Sequence, residues 1–430
     1  MRIRDPIHGS ITVSDEEARV IDSRTFQRLR HVRQLGFGDL AFPGATHTRH
    51  AHSLGAMHVA SRLFDAITTR SSLAAKERDR LRAAVRLAVL CHDIGHMPLS
   101  HASESIAPLR NKLALPSWLG AREGQATHED FTAMLLVSSE LQKVIDEAYA
   151  PLGISGALVA SLVMGVKPPG AANFVVGGLD WTPVLRAIVS GELDADRMDY
   201  LLRDSFYTGV NYGRYDLEWI LQNLSAVERD GKAVLALSKA AVFAFEDFLL
   251  SRYHMFLSVY FHHTSVSFDW MLKRYYEEAP GEFEVPSDPS AFLECDDMAL
   301  HLTLRRSKNP WAERIANRRG FKRVAQFTER DEAYDLGELS KALDTAGVQH
   351  FTVESRGVLS KYFDEGENTS LFVLDRQTQK LTDVQKYTPL FERFAGGVHL
   401  SRVYVRPDQY VSGSAVVEKL LGGPGVQRDE

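Results

Sequence analysis

After an opening turn at Asp5-Pro6-Ile7-His8-Gly9, apolar residues recur at three- and four-residue spacing over the first two thirds of the chain, the period of helices that bury one face. Ile21, Phe26, Leu29 and Val32 trace one such face behind Ser14-Asp15-Glu16-Glu17, where a serine cap and carboxylates suit a helix N-terminus. The Gly/Pro-rich stretch Gly36–Gly44 ends that helix. Ser53–Thr69 and Ala74–His92 are the next predicted helices, and the second is almost continuously apolar from Val85 to Cys91, as a central core helix would be. Pro98 turns the chain soon after. Gly165–Gly178, with Pro168-Pro169-Gly170, predicts a loop; periodicity resumes near Val184, and a long helical run follows over Lys239–Glu278. Beyond about residue 280 the period shortens, and Gln349–Glu354, Ser370–Leu374 and Leu400–Val405 alternate as strands do. The pattern predicts a mainly α protein, a helical core over residues 1–280 followed by a smaller α/β lobe over 281–430.

Composition narrows the classes. With 430 residues, 44% of them hydrophobic and 25% charged, the chain has the balance of an ordinary folded protein. A net charge of −6 supplies no global field for gripping nucleic acid or an anionic membrane, so any phosphate-binding charge is local. Two cysteines, Cys91 and Cys295, are too few for a disulfide framework and fit buried reduced thiols in a cytoplasmic protein. The N-terminus has no apolar signal core, and no stretch approaches the roughly 18 apolar residues of a membrane span. Histidine is unevenly spread: ten of 16 (His8, His31, His47, His50, His52, His58, His92, His96, His101 and His128) fall in the first 128 residues.

The densest chemistry is Leu90-Cys-His-Asp-Ile-Gly-His-Met-Pro-Leu-Ser-His101. An adjacent His92-Asp93 pair at the end of an apolar helix offers one nitrogen and one carboxylate ligand where burial makes a divalent ion effective. His96 falls on the same face if the helix continues that far. Arg49-His-Ala-His52-Ser-Leu-Gly55 opens a helix and puts a guanidinium fork and an imidazole on adjacent turns, an arrangement suited to a phosphate beside a metal. Gly191-Glu-Leu-Asp194-Ala-Asp196-Arg197-Met-Asp199-Tyr200-Leu-Leu-Arg203-Asp204 sets Asp196, Asp199 and Arg203 at helical spacing. Taken alone, this last segment also reads as a solvated, salt-bridged face.

In order along the chain, the pieces R-x-x-H-S-L-G, H-D-I-G-H-x-P-x-S-H, T-H-E and D-x-D-R-x-D-Y-x-x-R-D resemble those of the HD-domain phosphohydrolases. Within them they are most similar to the deoxynucleoside triphosphate (dNTP) triphosphohydrolases typified by the sterile-alpha-motif/HD-domain enzyme, here as the catalytic core alone. The likeness begins at Asp5-Pro-Ile-His-Gly, runs through Phe26-Gln-Arg-Leu-Arg, Gln34-Leu-Gly and Phe42-Pro-Gly-Ala, and persists to about Phe261-His262.

The resemblance implies an HD-domain helical core and a metal-dependent cleavage of dNTP to deoxynucleoside and tripolyphosphate. It implies His52, His92, Asp93 and Asp196 as ligands of one divalent transition metal, a nitrogen and carboxylate set that admits Fe²⁺, Mn²⁺ or Zn²⁺, with Mg²⁺ accompanying the substrate phosphates. Arg49, His96, His101 and His128 would surround the α-phosphate, and Arg197 and Arg252 would reach the outer phosphates, opposing the negative charge of the triphosphate and of the pentavalent centre. His101 is the implied general acid for the departing 5′-oxygen, with Glu104 as its orienter, and His128 with Glu129 forms a second pair of that kind. Gln34, Leu35, Tyr200, Asp204 and Tyr260 match the deoxyribose pocket, where a tyrosine beneath C2′ leaves no room for a hydroxyl. Asp22, Gln27 and Arg30 match residues with which nucleotide-activated members bind a second nucleotide between subunits. The N-terminal strand is very short here, and Arg4 stands where a family member carries asparagine. A homo-oligomer, dimer or tetramer, is the implied assembly.

Two other readings compete. One is an HD phosphohydrolase acting on another nucleotide, such as a nucleoside monophosphate. The other is a nucleotide sensor or single-stranded nucleic-acid binder, suggested by Arg305-Arg306-Ser-Lys308 and Arg318-Arg319-Gly-Phe-Lys322-Arg323. A full ligand set with its surrounding histidines argues against a pure binding module.

Overall fold

The computed structural model describes the chain except residues 70, 168–169, 171–172, 329–334, 359–370, 391–396 and 422–430. A short antiparallel hairpin, β1 (Arg2–Asp5) and β2 (Gly9–Thr12), flanks the opening turn, whose Asp5 Oδ1 accepts from the amides of Ile7 and His8 at 2.9 Å each. Helix α1 (Asp15–Ile21) starts in a reciprocal cap, the Ser14 hydroxyl accepting from the Glu17 amide and the Glu17 carboxylate accepting from the Ser14 amide. The single helix predicted through Val32 is broken. Ser23 caps a new start by accepting from the Phe26 amide, so the chain continues as α2 (Arg24–Gln27) and a 3₁₀ turn over Arg28–His31. Ile21, Phe26, Leu29 and Val32 are nevertheless all buried.

Two long helices form the centre. α3 (Arg49–Thr68) and α4 (Ala75–Cys91) are buried over most of their length, and α4 stops at Cys91, so that His92 and Asp93 leave its C-terminus. Around them lie α5 (His128–Ser138), α6 (Glu140–Ala148), α7 (Gly156–Met164) and α8 (Thr182–Val189). The predicted loop before α8 contains a two-residue hairpin, β3 (Val175–Val176) and β4 (Leu179–Asp180), while Pro168 and Pro169 lie outside the described residues. α9 (Ala195–Thr208) crosses α3 and is capped at one end by Asp194, which accepts from the Arg197 amide at 2.8 Å, and at the other by Gly209 at φ 76°.

After α10 (Leu217–Gln222), β5 (Leu224–Arg229) and β6 (Lys232–Ser238) form an antiparallel hairpin that helical periodicity does not predict. Its local signal is Asp230-Gly231, both at positive φ (53° and 72°), as a two-residue hairpin turn requires. The long run Lys239–Glu278 resolves into α11 (Val242–Met255), a π turn over Phe256–Tyr260, and α12 (His263–Glu278).

Helices α13 (Pro289–Phe292), α14 (Asp297–Arg306) and α15 (Pro310–Ala316) lead into the last part of the chain. There β7 (Lys322–Thr328), α16 (Leu336–Thr345) and β8 (His350–Val358) precede β9 (Phe372–Asp375), β10 (Lys380–Asp383), α17 (Val384–Tyr387), β11 (Gly397–Val405) and α18 (Tyr410–Leu421). The three-stranded antiparallel sheet β7-β11-β8 is the frame of this smaller α/β lobe. Residue 280 is not a clean spatial boundary: β9 pairs in parallel with β6, and Leu371, Val373 and Val384 join the helical core. The basic run is partly consumed internally, Arg319 pairing with Glu313 at 3.2 Å and Arg318 donating to the Leu40 carbonyl at 2.7 Å. Among the described residues no helix is long and apolar enough to cross a membrane.

The approach of α3 to α9 is set by Gly55. A Cβ there would fall 2.1 Å from both Arg203 Nη2 and Asp199 Oδ1, two atoms already locked together by a hydrogen bond at 2.9 Å in the core. Gly55→Ala is expected to cost about 3 kcal/mol, read as the lowered midpoint of chemical denaturation, through overpacking and displacement of a buried ion pair. An unchanged midpoint would mean that the two helices part freely.

Candidate metal centre

Two helix ends and one helix face deliver the cluster. His52 sits one turn into α3, His92 and Asp93 follow the last turn of α4, and Asp196 begins α9. His52 Nε2 stands 3.0 Å from Asp196 Oδ1 and 3.6 Å from Asp93 Oδ2; His92 Nε2 stands 3.5 Å from Asp196 Oδ1 and 3.4 Å from Asp93 Oδ1. Both Nε2 atoms are buried without a hydrogen-bond partner. Each ring's other nitrogen is engaged: His52 Nδ1 lies 2.8 Å from Asp199 Oδ2, and His92 Nδ1 lies 2.6 Å from the Val89 carbonyl. With a proton on each Nδ1, both rings present an Nε2 lone pair toward two carboxylates, a donor set that fits a divalent cation with nitrogen and oxygen ligands.

Electrostatics agree. Burial opposes ionisation of Asp93, but the Arg49 guanidinium and the imidazoles of His92 and His96 hold its carboxyl well below the usual range. Asp196 is likewise lowered against burial by His52 and His92, and Asp199 by Arg203, His52 and His8. Burial lowers the His52 imidazole, yet the carboxylates of Asp196, Asp199 and Asp93 outweigh it and lift the group to about 10. The carboxylates thus favour a positive charge at the point where the two rings converge.

Behind the ligands runs a chain of charges that spacing alone does not assign. Asp199 receives His52 on one oxygen, His8 Nε2 on the other at 2.6 Å, and both Nε and Nη2 of Arg203 at 2.8 and 2.9 Å; Arg203 Nη1 reaches Asp5 at 2.9 Å. The only sequence signal for His8 and Asp5 is the Asp-Pro-Ile-His-Gly motif itself.

A cavity of about 800 Å³ opens beside the cluster and is lined by Gln34, Leu35, Arg49, His92, Asp93, His96, His101, His128, Glu129, Asp196, Tyr200, Asp204 and Tyr260 among others. Arg49 donates to Asp93 at 2.6 Å and to the Ser100 hydroxyl at 2.8 Å. The helix does not continue to His96, which instead meets Asp93 at 3.2 Å and stacks on His128 with ring centroids 4.0 Å apart. Burial, and then Arg49, keep His96 well below the usual imidazole range, so it is neutral. Glu104 meets both His101 Nδ1 (3.1 Å) and His128 Nδ1 (2.8 Å), and these contacts hold its carboxyl low against burial. His128 is thus paired with Glu104 and not with Glu129, because Glu129 follows it on the exposed side of α5.

Asp204 is held by Tyr260 at 3.0 Å and by His47 at 2.7 Å, and His47 stacks on Tyr207. Arg197 and Arg252 are not brought to the cavity wall. Arg197 donates to the Gly191 carbonyl and lies 3.7 Å from Asp194, while Arg252 lies 3.5 Å from Glu192. Fully buried guanidiniums take the nearest carboxylates, and the turn before α9 supplies them. Gln27 donates to the Ile21 carbonyl and accepts from Arg30, whereas Asp22 is exposed at the end of α1, so the three are not gathered into one cluster within a single chain.

A family model for the HD domain matches residues 49–157, and one for the HD associated region matches residues 215–347. The chain belongs to the HD-domain phosphohydrolase superfamily. HD domains bind a divalent metal, and the His52/His92/Asp93 group is where this one could hold it. This HD-domain chain is 31% identical over 339 residues to an uncharacterized protein of Methanocaldococcus jannaschii, covering 79% of this chain and 62% of that one. It is 30% identical over 366 residues to the deoxynucleoside triphosphate triphosphohydrolase SAMHD1 homolog of Dictyostelium discoideum, covering 82% of this chain and 65% of that one. The human deoxynucleoside triphosphate triphosphohydrolase SAMHD1 is 30% identical over 295 residues, 66% of this chain and 45% of that one. The chain spans roughly half to two thirds of the length of these curated relatives. Among solved structures, a hypothetical protein from Aquifex aeolicus superposes with a TM-score of 0.70 at 25% identity, covering 97% of this chain and 99% of that one. A phosphohydrolase from Bacteroides thetaiotaomicron superposes at 0.67 with 22% identity, over 94% and 99%.

Elemental analysis tests the ligand assignment. His52→Ala and Asp196→Ala are each expected to lose stoichiometric divalent metal, and Asp199→Asn to weaken metal binding by about 10–100-fold by freeing the His52 ring. Full metal occupancy in Asp196→Ala would remove that residue from the ligand set.

Proposed function

We propose that the protein is a metal-dependent dNTP triphosphohydrolase, releasing deoxynucleoside and tripolyphosphate. The observation that carries the reading is that one cavity joins the His/Asp cluster, the Glu104-linked histidines His101 and His128, and the Tyr200/Asp204/Tyr260 corner. The names of the Dictyostelium and human relatives support the substrate class. A divalent ion held by His52, His92, Asp93 and Asp196, whether Fe²⁺, Mn²⁺ or Zn²⁺, supplies Lewis-acid charge beside the α-phosphate, with Mg²⁺ accompanying the outer phosphates.

The chain's own groups do the rest. Arg49, anchored on Asp93 and Ser100, and neutral His96 position the α-phosphate oxygens. Water attacks the α-phosphorus and its oxygen stays on the tripolyphosphate, the bond from phosphorus to O5′ breaks, His101 delivers its proton to O5′, and the proton shed by the water returns through solvent to His101. Glu104 holds that imidazole and His128 in place, so the two histidines act from a single carboxylate. Tyr260 and Asp204, with Tyr200, Gln34 and Leu35, form the corner that receives deoxyribose. Residues 1–280 act as the catalytic core, residues 281–430 support subunit contacts or regulation, and the protein works in the cytoplasm as a dimer or tetramer. Asp22, Gln27 and Arg30 belong to a second nucleotide site only if two chains complete it.

One observation favours a second reading. With Arg197 and Arg252 turned to Glu192 and Asp194, two cations for the outer phosphates are missing from the cavity wall, which suits a nucleoside monophosphate.

Product analysis with Mn²⁺ decides. dNTPs are expected to yield tripolyphosphate, and His101→Asn to lower turnover by about 10²–10⁴-fold with metal content intact. Orthophosphate from monophosphates, with triphosphates untouched, would replace the first reading by the second.

A further inference from the structure

The cavity extends past the metal cluster to a wall that the reaction described above does not use. One side of α12 contributes Ser265, Asp269 and Lys273 at four-residue spacing, and β8 contributes Glu354, Ser355 and Arg356. The wall is built: Trp270 of α12 lies flat on Phe351 of β8, ring centroids 3.6 Å apart and planes 2° from parallel. Asp269 has no hydrogen bond or ion pair among the described residues, unlike Asp93, Asp196 and Asp199, and burial alone pushes its carboxyl up to about 7. The Ser265 hydroxyl is buried and also without a partner. Unmatched polar groups facing a ligand-sized cavity are a demand for complementary groups on the ligand.

Position points to the part of the ligand concerned. Tyr260, in the corner assigned to the sugar, lies just before α12, and each four residues of that helix advance about 6 Å. A base attached to a sugar held at Tyr260 would extend along this same cavity, which Asp269, about two turns into α12, and Lys273, one turn further, also line. A carboxylate accepts from two adjacent donors, and an ammonium donates to one neighbouring acceptor. Guanine carries that sequence on one edge, with N1–H and the exocyclic amine as donors beside the O6 acceptor. Adenine, cytosine and thymine each set an acceptor where the carboxylate needs a donor.

We propose that Asp269, Lys273 and Ser265 form a base-reading wall that makes guanine nucleotides the preferred substrates. This inference rests on the nucleotide-hydrolase reading of the same cavity. Binding guanine would pair the Asp269 carboxylate as the acids of the cluster already are.

The test compares kcat/KM for dGTP, dATP, dCTP and dTTP in the Mn²⁺-loaded full chain, for the wild type, Asp269→Asn and Lys273→Met. Preference for dGTP of about tenfold or more is expected, with Asp269→Asn lowering dGTP turnover about 10–100-fold while dATP changes less than about threefold. Lys273→Met, a change at an exposed position that the fold tolerates, is expected to remove about tenfold of the preference. Calorimetric binding of dGTP and dATP to the His101→Asn protein should show the same order without turnover. Equal kcat/KM for all four dNTPs, or an equal loss on all four in Asp269→Asn, overturns the base-reading wall and leaves the hydrolase reading standing. No hydrolysis of any dNTP overturns the hydrolase reading and the wall with it.

Discussion

The arrangement depends on one buried carboxylate. Asp199 is completely enclosed between α3 and α9, where it receives His52, His8 and Arg203. An ionised acid in that position is tolerable only because every lone pair is used, and removing a partner would leave an uncompensated charge in a medium of low dielectric. The same bonds orient the His52 ring, so the fold's most demanding polar network and the metal ligand's aim are one object. Gly55 makes it geometrically possible, since any side chain there would occupy the space of the Arg203–Asp199 pair.

The segment after α4 has almost no regular structure of its own, and it is pinned from three directions. Arg28 donates to the carbonyls of Ile94 and His96 and to that of Cys295, with its guanidinium over the Phe292 ring. Thr132 of α5 accepts from the Gly95 amide and donates to the His92 carbonyl, and a Cβ at Gly95 would fall 2.2 Å from the α5 backbone. Asp297, from the start of α14, accepts from the amides of Leu99 and Arg33, holding Leu99 and Ser100 at φ 53° and 58°. Non-glycine residues in that region are strained, and the strain is sustained by contacts from elsewhere in the chain. The histidines of this segment thus owe their place to residues up to two hundred positions away.

Much of this was legible beforehand. The helical periods of α3, α4, α9 and α11–α12 were strong because each buries a long face; the His92-Asp93 pair was visible from its own ligand chemistry, and His52 and Asp196 from the resemblance of the ordered motifs to the HD-domain family. Where the reading failed, a local signal was outweighed or overlooked. Ser23 restarted a helix that periodicity ran through, and Asp230-Gly231 announced a hairpin inside a segment read as helical. Glu129 adjoins His128 in sequence, but neighbours on a helix point apart, and Glu104 is the carboxylate that reaches His128 in space.

By itself, the sequence determined which elements form and which residue types can bind a cation, because periodicity, capping and ligand chemistry are properties of short stretches. Partner choice was left to the tertiary structure. Arg197 and Arg252 turn to Glu192 and Asp194, Asp204 is shared by His47 and Tyr260, and β9 returns to pair with β6. Asp269, one acid among many in the sequence, becomes an unpaired group on a cavity wall only once α12 and β8 meet. The reason is physical: a buried charge or hydroxyl takes whichever complementary group packing brings within about 3 Å, and packing is decided by contacts far apart in the chain.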